Sequence, residues 1–397
     1  MNELVITNYN KKRISAVFND GKMSSVSVIT ADHEFEIGNI YVGRVDNIVK
    51  NINAAFVNIS DTCSCYLDLN SDEKPLFVKR QSEKKICIGD EIIVQLVKES
   101  IKTKAPVVTT SFSLAGKYVS LVKNGTGAQV SKKITNRQAK AHLKELLQPF
   151  ASEDYCIIAR TNAFGAPEEA IKKEAVELIN KYKEISTHCT HLKQYSVVYR
   201  ELPAYLIQLR DTNAFIYDRI VTDIPEVYDT IDEYLKVFPC INEKGEETHV
   251  LFTDDPNRLN SLYKIEKNMD AALKRIINLK SGASIIIDQT EALTAIDVNT
   301  SKAISGKRAT EQTFFEINCE AAKEIAYQLK LRNISGIIVI DFINQHDDSY
   351  REQLLEQFKS ELKTDNVQTE LVDITKLGLV EVTRKKVHRC IAEQLKD

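Results

Sequence analysis

A chain of 397 residues, 43% apolar and 27% charged, has the composition of a globular protein and the length for two or three hydrophobic cores. Lys and Arg number 53 against 56 Asp and Glu, a formal charge of −3, which excludes a generally polycationic nucleic-acid binder and requires any phosphate-binding surface to be local. No apolar run approaches the length that spans a bilayer, and the opening MNELVITNYNKK has no signal-peptide core, so a cytoplasmic protein with no integral membrane segment is expected.

The first 30 residues alternate apolar and polar side chains around the turn signal Asn19-Asp20-Gly21, the pattern of a β-hairpin or meander. It is too small to fold alone and must pair with something later in the chain. The stretch 35–116 then offers five short strands rich in Val, Ile, Tyr and Phe, beginning GNIYVGRV and including AAFV, the pattern of a small barrel. It resembles an OB-fold of the ribosomal S-one type. Such barrels stack unpaired bases on surface aromatics and hold the backbone with Lys or Arg, which makes Phe56, Tyr66 and Lys104 the candidates. An aromatic inside AAFV ordinarily belongs to the core, so Tyr66 and Lys104 are the better surface candidates. Eight cysteines are scattered without a CxxC pair; Cys63 and Cys65 share one strand face and read as buried free thiols rather than zinc ligands.

The stretch 117–202 opens with a strand, KYVSLV, and continues with the basic SKKI and an amphipathic helix over Arg137–Leu147. A further strand, CIIARTNAFG, runs into Arg160, Thr161 and a glycine turn. Arginine's fixed fork suits a terminal phosphate and the neighbouring hydroxyl adds a donor, although an Arg-Thr pair is commonly just a surface arginine beside a turn. Lys172–Glu184 reads as a solvated helix face. The stretch 203–279 carries YLIQLR, AFIYD and THVLFTD, read as strands that could complete the sheet begun by the N-terminal hairpin and make the barrel an insertion.

The stretch 280–397 contains the most pointed pattern. Two apolar runs, SIIIDQTEALTAIDVN and GIIVIDFIN, each end in a carboxylate, and an amphipathic helix with Phe314, Ile317, Ala321, Ile325 and Leu329 on one face joins them. Thr313 and Glu316 suggest a capping box at its start and Gly336 its stop. A strand, crossover helix and strand form a parallel unit, so Asp297 and Asp341 should emerge on one edge of the sheet, with Asn299 on the same face as Asp297. Aspartates at strand ends also serve as helix caps or solvated turn residues. The sharper reading is a shared cation site of Asp297 and Asp341 oriented by Asn299. Near the end, Arg384, Lys385 and Lys386 form a small basic cluster of the kind that is usually solvated.

EALTAIDVNT, EAAKEIAYQLKLRNISGIIVIDFI and LGLVEVTRKK together resemble the catalytic core of the RNase E/G endoribonuclease family, over nearly the whole chain. The resemblance implies an α+β multidomain fold. An RNase H-like platform (1–34 and 203–279) would carry the inserted OB-fold (35–116) and a 5′-sensor region (117–202), followed by a DNase I-like catalytic α/β part (280–397). It implies magnesium at Asp297 and Asp341, with Asn299 holding the first. It further implies a 5′-monophosphate pocket of Arg160, Thr161 and the Gly116 backbone, and capture of single-stranded RNA by Phe56, Tyr66 and Lys104. Two departures stand out. The family's zinc-link motif is missing, with only Cys390 near the end of the chain, so any homo-oligomer would form without a zinc link. Gln368 stands where an additional sensor arginine is usual. The implied reaction is hydrolysis of A/U-rich single-stranded RNA to 5′-phosphate and 3′-hydroxyl products in rRNA and mRNA processing and decay.

Two rivals are weighed against it. One is a noncatalytic RNA-binding or ribosome-associated protein on the same fold, which the intact Asp297, Asp341 and Asn299 disfavour. The other is a magnesium-dependent phosphotransferase, which the lack of a Gly-x-x-x-x-Gly-Lys loop disfavours. The seven histidines are dispersed, and His346, close behind Asp341, is by default an exposed loop residue.

Overall fold

The computed structural model describes residues 1–29, 35–70, 74–80, 85–100, 104–211, 217–242, 245–300, 310–365, 367–386 and 389–396. The chain forms two compact units, Met1–Ala31 with Tyr217–Asp397, and Asp32–Ile216.

In the first unit the opening alternation folds as a meander of Asn2–Tyr9, Lys12–Asn19 and Lys22–Ile29. Both of its turns are two-residue connections with positive φ, Asn10-Lys11 and Asp20-Gly21, the backbone that matches the twist of a hairpin. Asn2–Tyr9 pairs in parallel with Arg219–Thr222, which pairs in parallel with His249–Phe252, giving a five-stranded sheet. The segment YLIQLR, expected as a strand, lies instead in the helix Ala204–Asp211 of the second unit, which buries Tyr205, Leu206 and Leu209 on one side. A short apolar run does not distinguish the two periods. Most of AFIYD falls outside the described residues.

The rest of the first unit is a six-stranded sheet in the order Ile276–Asn278, Ser284–Gln289, Leu293–Asn299, Gly336–Asp341, Val380–Arg384, Thr369–Ile374. Only the central pair, Leu293–Asn299 with Gly336–Asp341, is parallel. The helices Glu311–Leu331 and Asp348–Leu362 pack on one face, where Ile317, Ala321, Ile325, Leu354 and Phe358 meet Ile285, Ile296, Ile338 and Val382. Each fully buried Ile, Leu, Val or Phe among these contributes roughly 1.5–3 kcal/mol. The crossover helix starts earlier than the expected capping box: Thr310 is its N-cap, its side chain accepting from the Thr313 N–H. Its C-terminal end is turned by Asn333 in the left-handed region (φ 51°), and Gly336 opens the next strand rather than stopping the helix.

The second unit contains a closed five-stranded OB-like barrel of Ile40–Val49, Ala54–Asn58, Ser64–Asp68, Val107–Thr109 and Glu91–Lys98, the last pairing back to the first. Beside it a four-stranded sheet runs in the order Ser113–Ala115, Val119–Lys123, Tyr155–Ala159, Ala128–Val130. The helix Glu168–His188 is not simply a solvated face: Ile171, Ala175, Leu178, Tyr182 and Ile185 pack into that sheet's core.

Candidate active site

Leu293–Asn299 turns Thr294, Ile296 and Val298 into the core, so Ala295, Asp297 and Asn299 face the other way. Gly336–Asp341 likewise buries Ile338 and Ile340 and turns Ile337, Val339 and Asp341 outward. In the parallel register Asp297 stands directly opposite Asp341. Both carboxyl groups therefore project from one face, on backbones about 4.8 Å apart. Asn299 Nδ2 donates to Asp297 Oδ2 at 2.5 Å, which fixes the orientation of that carboxylate. Asp297 is half-buried and Asp341 exposed.

Two carboxylates held side by side repel one another unless they share a cation or a proton. Among the described residues no group of three or more His, Cys, Asp or Glu side chains is set to hold a metal ion. A pair of hard carboxylates leaves most of an octahedral shell to water, which suits magnesium; zinc takes three or four protein ligands, often sulfur or nitrogen. The donor set on this face thus fits a hydrated magnesium ion. His346 does not join it: its side chain is exposed and its main-chain N–H donates to Glu311 Oε2 at 3.2 Å.

In the barrel, Phe56 and Tyr66 are cross-strand partners whose rings meet edge to face, centroids 6.4 Å apart. Both are half-buried, so Phe56 is not swallowed by the core as an aromatic in AAFV ordinarily is. Lys104 is exposed, three residues before Val107, which pairs with Tyr66.

Arg160 directly follows the strand Tyr155–Ala159. Its guanidinium donates to the Gly116 carbonyl and, at 2.8 Å, to Asp211 Oδ1. Asp211 also accepts from Arg210 Nε at 2.8 Å, and Arg210 Nη1 reaches Glu201 at 3.0 Å, a chain of alternating charges. Thr161 is not drawn into that chain; its hydroxyl lies 3.2 Å from the Ser131 hydroxyl. Behind Arg160, the buried Glu174 carboxylate accepts the N–H groups of Lys117, Tyr118 and Val119, each at 2.7 Å. Burial pushes Glu174 above the usual carboxylate range, against the pull of those three amides and of Arg160. Gly116 is required here because a Cβ would run into the Glu174 carboxyl group. In the other unit, the exposed Gln368 donates to Glu370 at 2.8 Å.

Sequence reasoning missed Glu174, Arg210 and Asp211, each of which has at least one partner 51 to 95 residues away along the chain. It also missed Asn318, fully buried in the crossover helix. The signal for Asn318 was present: a poor helix former on the apolar stripe beside Ile317 and Ala321 demands hydrogen-bond partners.

The Ribonuclease E/G family matches residues 113–387. A Ribonuclease G of Haemophilus influenzae is 32% identical over 401 residues, covering 98% of this chain and 80% of that protein. A Ribonuclease G of Escherichia coli is 31% identical over 369 residues, covering 90% and 74%. A Ribonuclease E of Nostoc is 34% identical over 392 residues, covering 97% of this chain; the chain spans only 56% of that longer relative. With its acidic pair in register and these similarities along almost its entire length, the chain belongs to the ribonuclease E/G family of enzymes.

Proposed function

We propose that this protein is a magnesium-dependent endoribonuclease that hydrolyses single-stranded, A/U-rich RNA to 5′-phosphate and 3′-hydroxyl products and works faster on 5′-monophosphorylated ends. The observation that carries the reading is Asp297 opposite Asp341 in the parallel register, with Asn299 bonded to the former. In this reading the five-stranded sheet is an RNase H-like platform and the six-stranded sheet a DNase I-like catalytic part.

Asp297 and Asp341 would hold magnesium, which when bound supplies positive charge at the reacting phosphate and acidifies its water. The chain's own contribution is geometric. The ladder between the two strands sets the spacing of the carboxylates, and Asn299 keeps Asp297 from rotating away. Phe56 and Tyr66 offer faces and edges to unpaired bases, and Lys104 a cation to the backbone, so paired RNA, whose base faces are hidden, is a poor substrate. Arg160, with Thr161 and the Gly116 backbone, takes a terminal phosphate and adds affinity by linking two contacts on one strand.

The test uses one A/U-rich oligonucleotide with a 5′-monophosphate or a 5′-hydroxyl, with and without magnesium. Metal-dependent cleavage should fall by roughly a thousandfold in Asp297→Asn and Asp341→Asn, the scale of several kcal/mol of lost charge stabilisation. RNA binding without cleavage by the wild type would favour a noncatalytic RNA-binding protein instead.

A further inference from the structure

The two carboxylates are not equally restrained. Asp297 lies inside its strand, flanked by Ile286 on one side and Asp341 on the other, and is gripped by Asn299. Asp341 is the last residue of its strand, and its ladder to Val380–Arg384 has ended one residue earlier. What holds the chain as it leaves Asp341 is the crossover helix. Asn318, 0% exposed, donates from Nδ2 to the Ile343 carbonyl at 2.8 Å and accepts the Ile343 N–H on Oδ1 at 3.0 Å. Between the two, Phe342 is buried edge to face against Phe358, centroids 5.8 Å apart.

An amide in an apolar core is unfavourable unless its hydrogen bonds are made. Here both are made to one residue, two beyond Asp341, and a two-point grip fixes direction as well as distance. Resting on the reading of Asp297 and Asp341 as magnesium ligands, we propose that Asn318 is a positioning residue for the active site. Its clamp on Ile343 sets how the Asp341 carboxylate meets the ion.

The test titrates magnesium with the full chain and a 5′-hydroxyl A/U-rich oligonucleotide, for wild type, Asn318→Leu and Asn318→Asp. Leucine keeps the approximate shape and removes both bonds; aspartate keeps the acceptor for the Ile343 N–H. The readouts are the magnesium concentration for half-maximal rate, the KM for RNA and the melting temperature. Asn318→Leu should raise the half-saturating magnesium about 10–100-fold, Asn318→Asp less, with KM for RNA held within about twofold. A folded variant with wild-type magnesium dependence overturns the proposal, whatever its loss of melting temperature, because a purely structural tie would do only that. If Asn318→Leu does not fold, Asn318→Asp decides by the same readout. Cleavage by the wild type that ignores magnesium removes the metal reading itself, and is seen before any variant is compared.

Discussion

Arg160 and Asp211 are ion-paired at 2.8 Å, so the guanidinium proposed to take a terminal phosphate already holds a carboxylate. An incoming phosphate meets that charge as a competitor. Because the pair is partly exposed, with side-chain accessibilities of 23% and 42%, the competition is worth about 1 kcal/mol. Asp211→Asn should therefore raise the preference for 5′-monophosphate over 5′-hydroxyl RNA by about fivefold, and Arg160→Ala should abolish the preference. Rates on the two oligonucleotides decide it. A preference that falls in Asp211→Asn would mean that the carboxylate aims the arginine rather than occupying it.

How much of this was readable beforehand depends on the reach of each interaction. Asp297 and Asp341 were legible because each ends an apolar run, and strand alternation alone turns Ile296 and Ile338 one way and the acids the other. The register that sets them opposite each other is a property of the pairing and of no single segment. Asp211 and Glu174 were illegible because Arg160 and the amides of Lys117, Tyr118 and Val119 are brought to them by other elements, across 51 to 57 residues. Arg384 was misread although the information was there. In Val380–Arg384 the alternation that buries Val380 and Val382 also buries Arg384, yet its two lysine neighbours suggested a solvated cluster.

Glu174 gives a stability prediction. Its carboxylate satisfies three N–H groups at one turn, and Glu174→Ala would leave them without it. Unpaired buried donors cost about 1–3 kcal/mol each, so a loss of about 3 kcal/mol is expected, a fall of roughly 6–12 °C in melting temperature for a unit of this size. Gly116→Ala, which pushes the same carboxyl group out, should act in the same direction. Unchanged melting curves for both variants would remove the role assigned to this carboxylate.

Asp211 and Glu174 also bend stability with pH in opposite senses. Burial alone would raise Asp211, but the hydrogen bond and charge of Arg210, with Arg160, hold it below the usual 3.8. A depressed folded value contributes stability that is present above about pH 4 and is lost as pH falls through that lower value. Burial raises Glu174 above its usual 4.5, so its contribution is full below that value and declines as pH rises through the folded one. Thermal melts between about pH 3 and pH 7 should show a shallower acid limb in Asp211→Asn than in the wild type. Superimposable acid limbs would show that Asp211 carries no depressed folded value.

Arg384 supplies the last test, because the ion pair it forms is buried on both sides. Its side chain is 3% exposed and that of Asp365 8%, with Nε and Oδ2 2.7 Å apart. The same guanidinium donates to Asn333 Oδ1 at 2.7 Å and to the Ile334 carbonyl at 3.2 Å, tying the turn after the crossover helix to the sheet. Arg384→Leu alone strands Asp365 as a buried charge and should cost about 3–5 kcal/mol in denaturant unfolding. The double variant Arg384→Leu, Asp365→Leu should recover a good part of that loss, since burying two ions is itself costly. RNA affinity should stay within about twofold in the double variant, because a guanidinium spent inside the fold contributes no phosphate contact and no counterion release. A double variant that folds well but binds RNA tenfold more weakly would return Arg384 to the basic surface its lysine neighbours suggested.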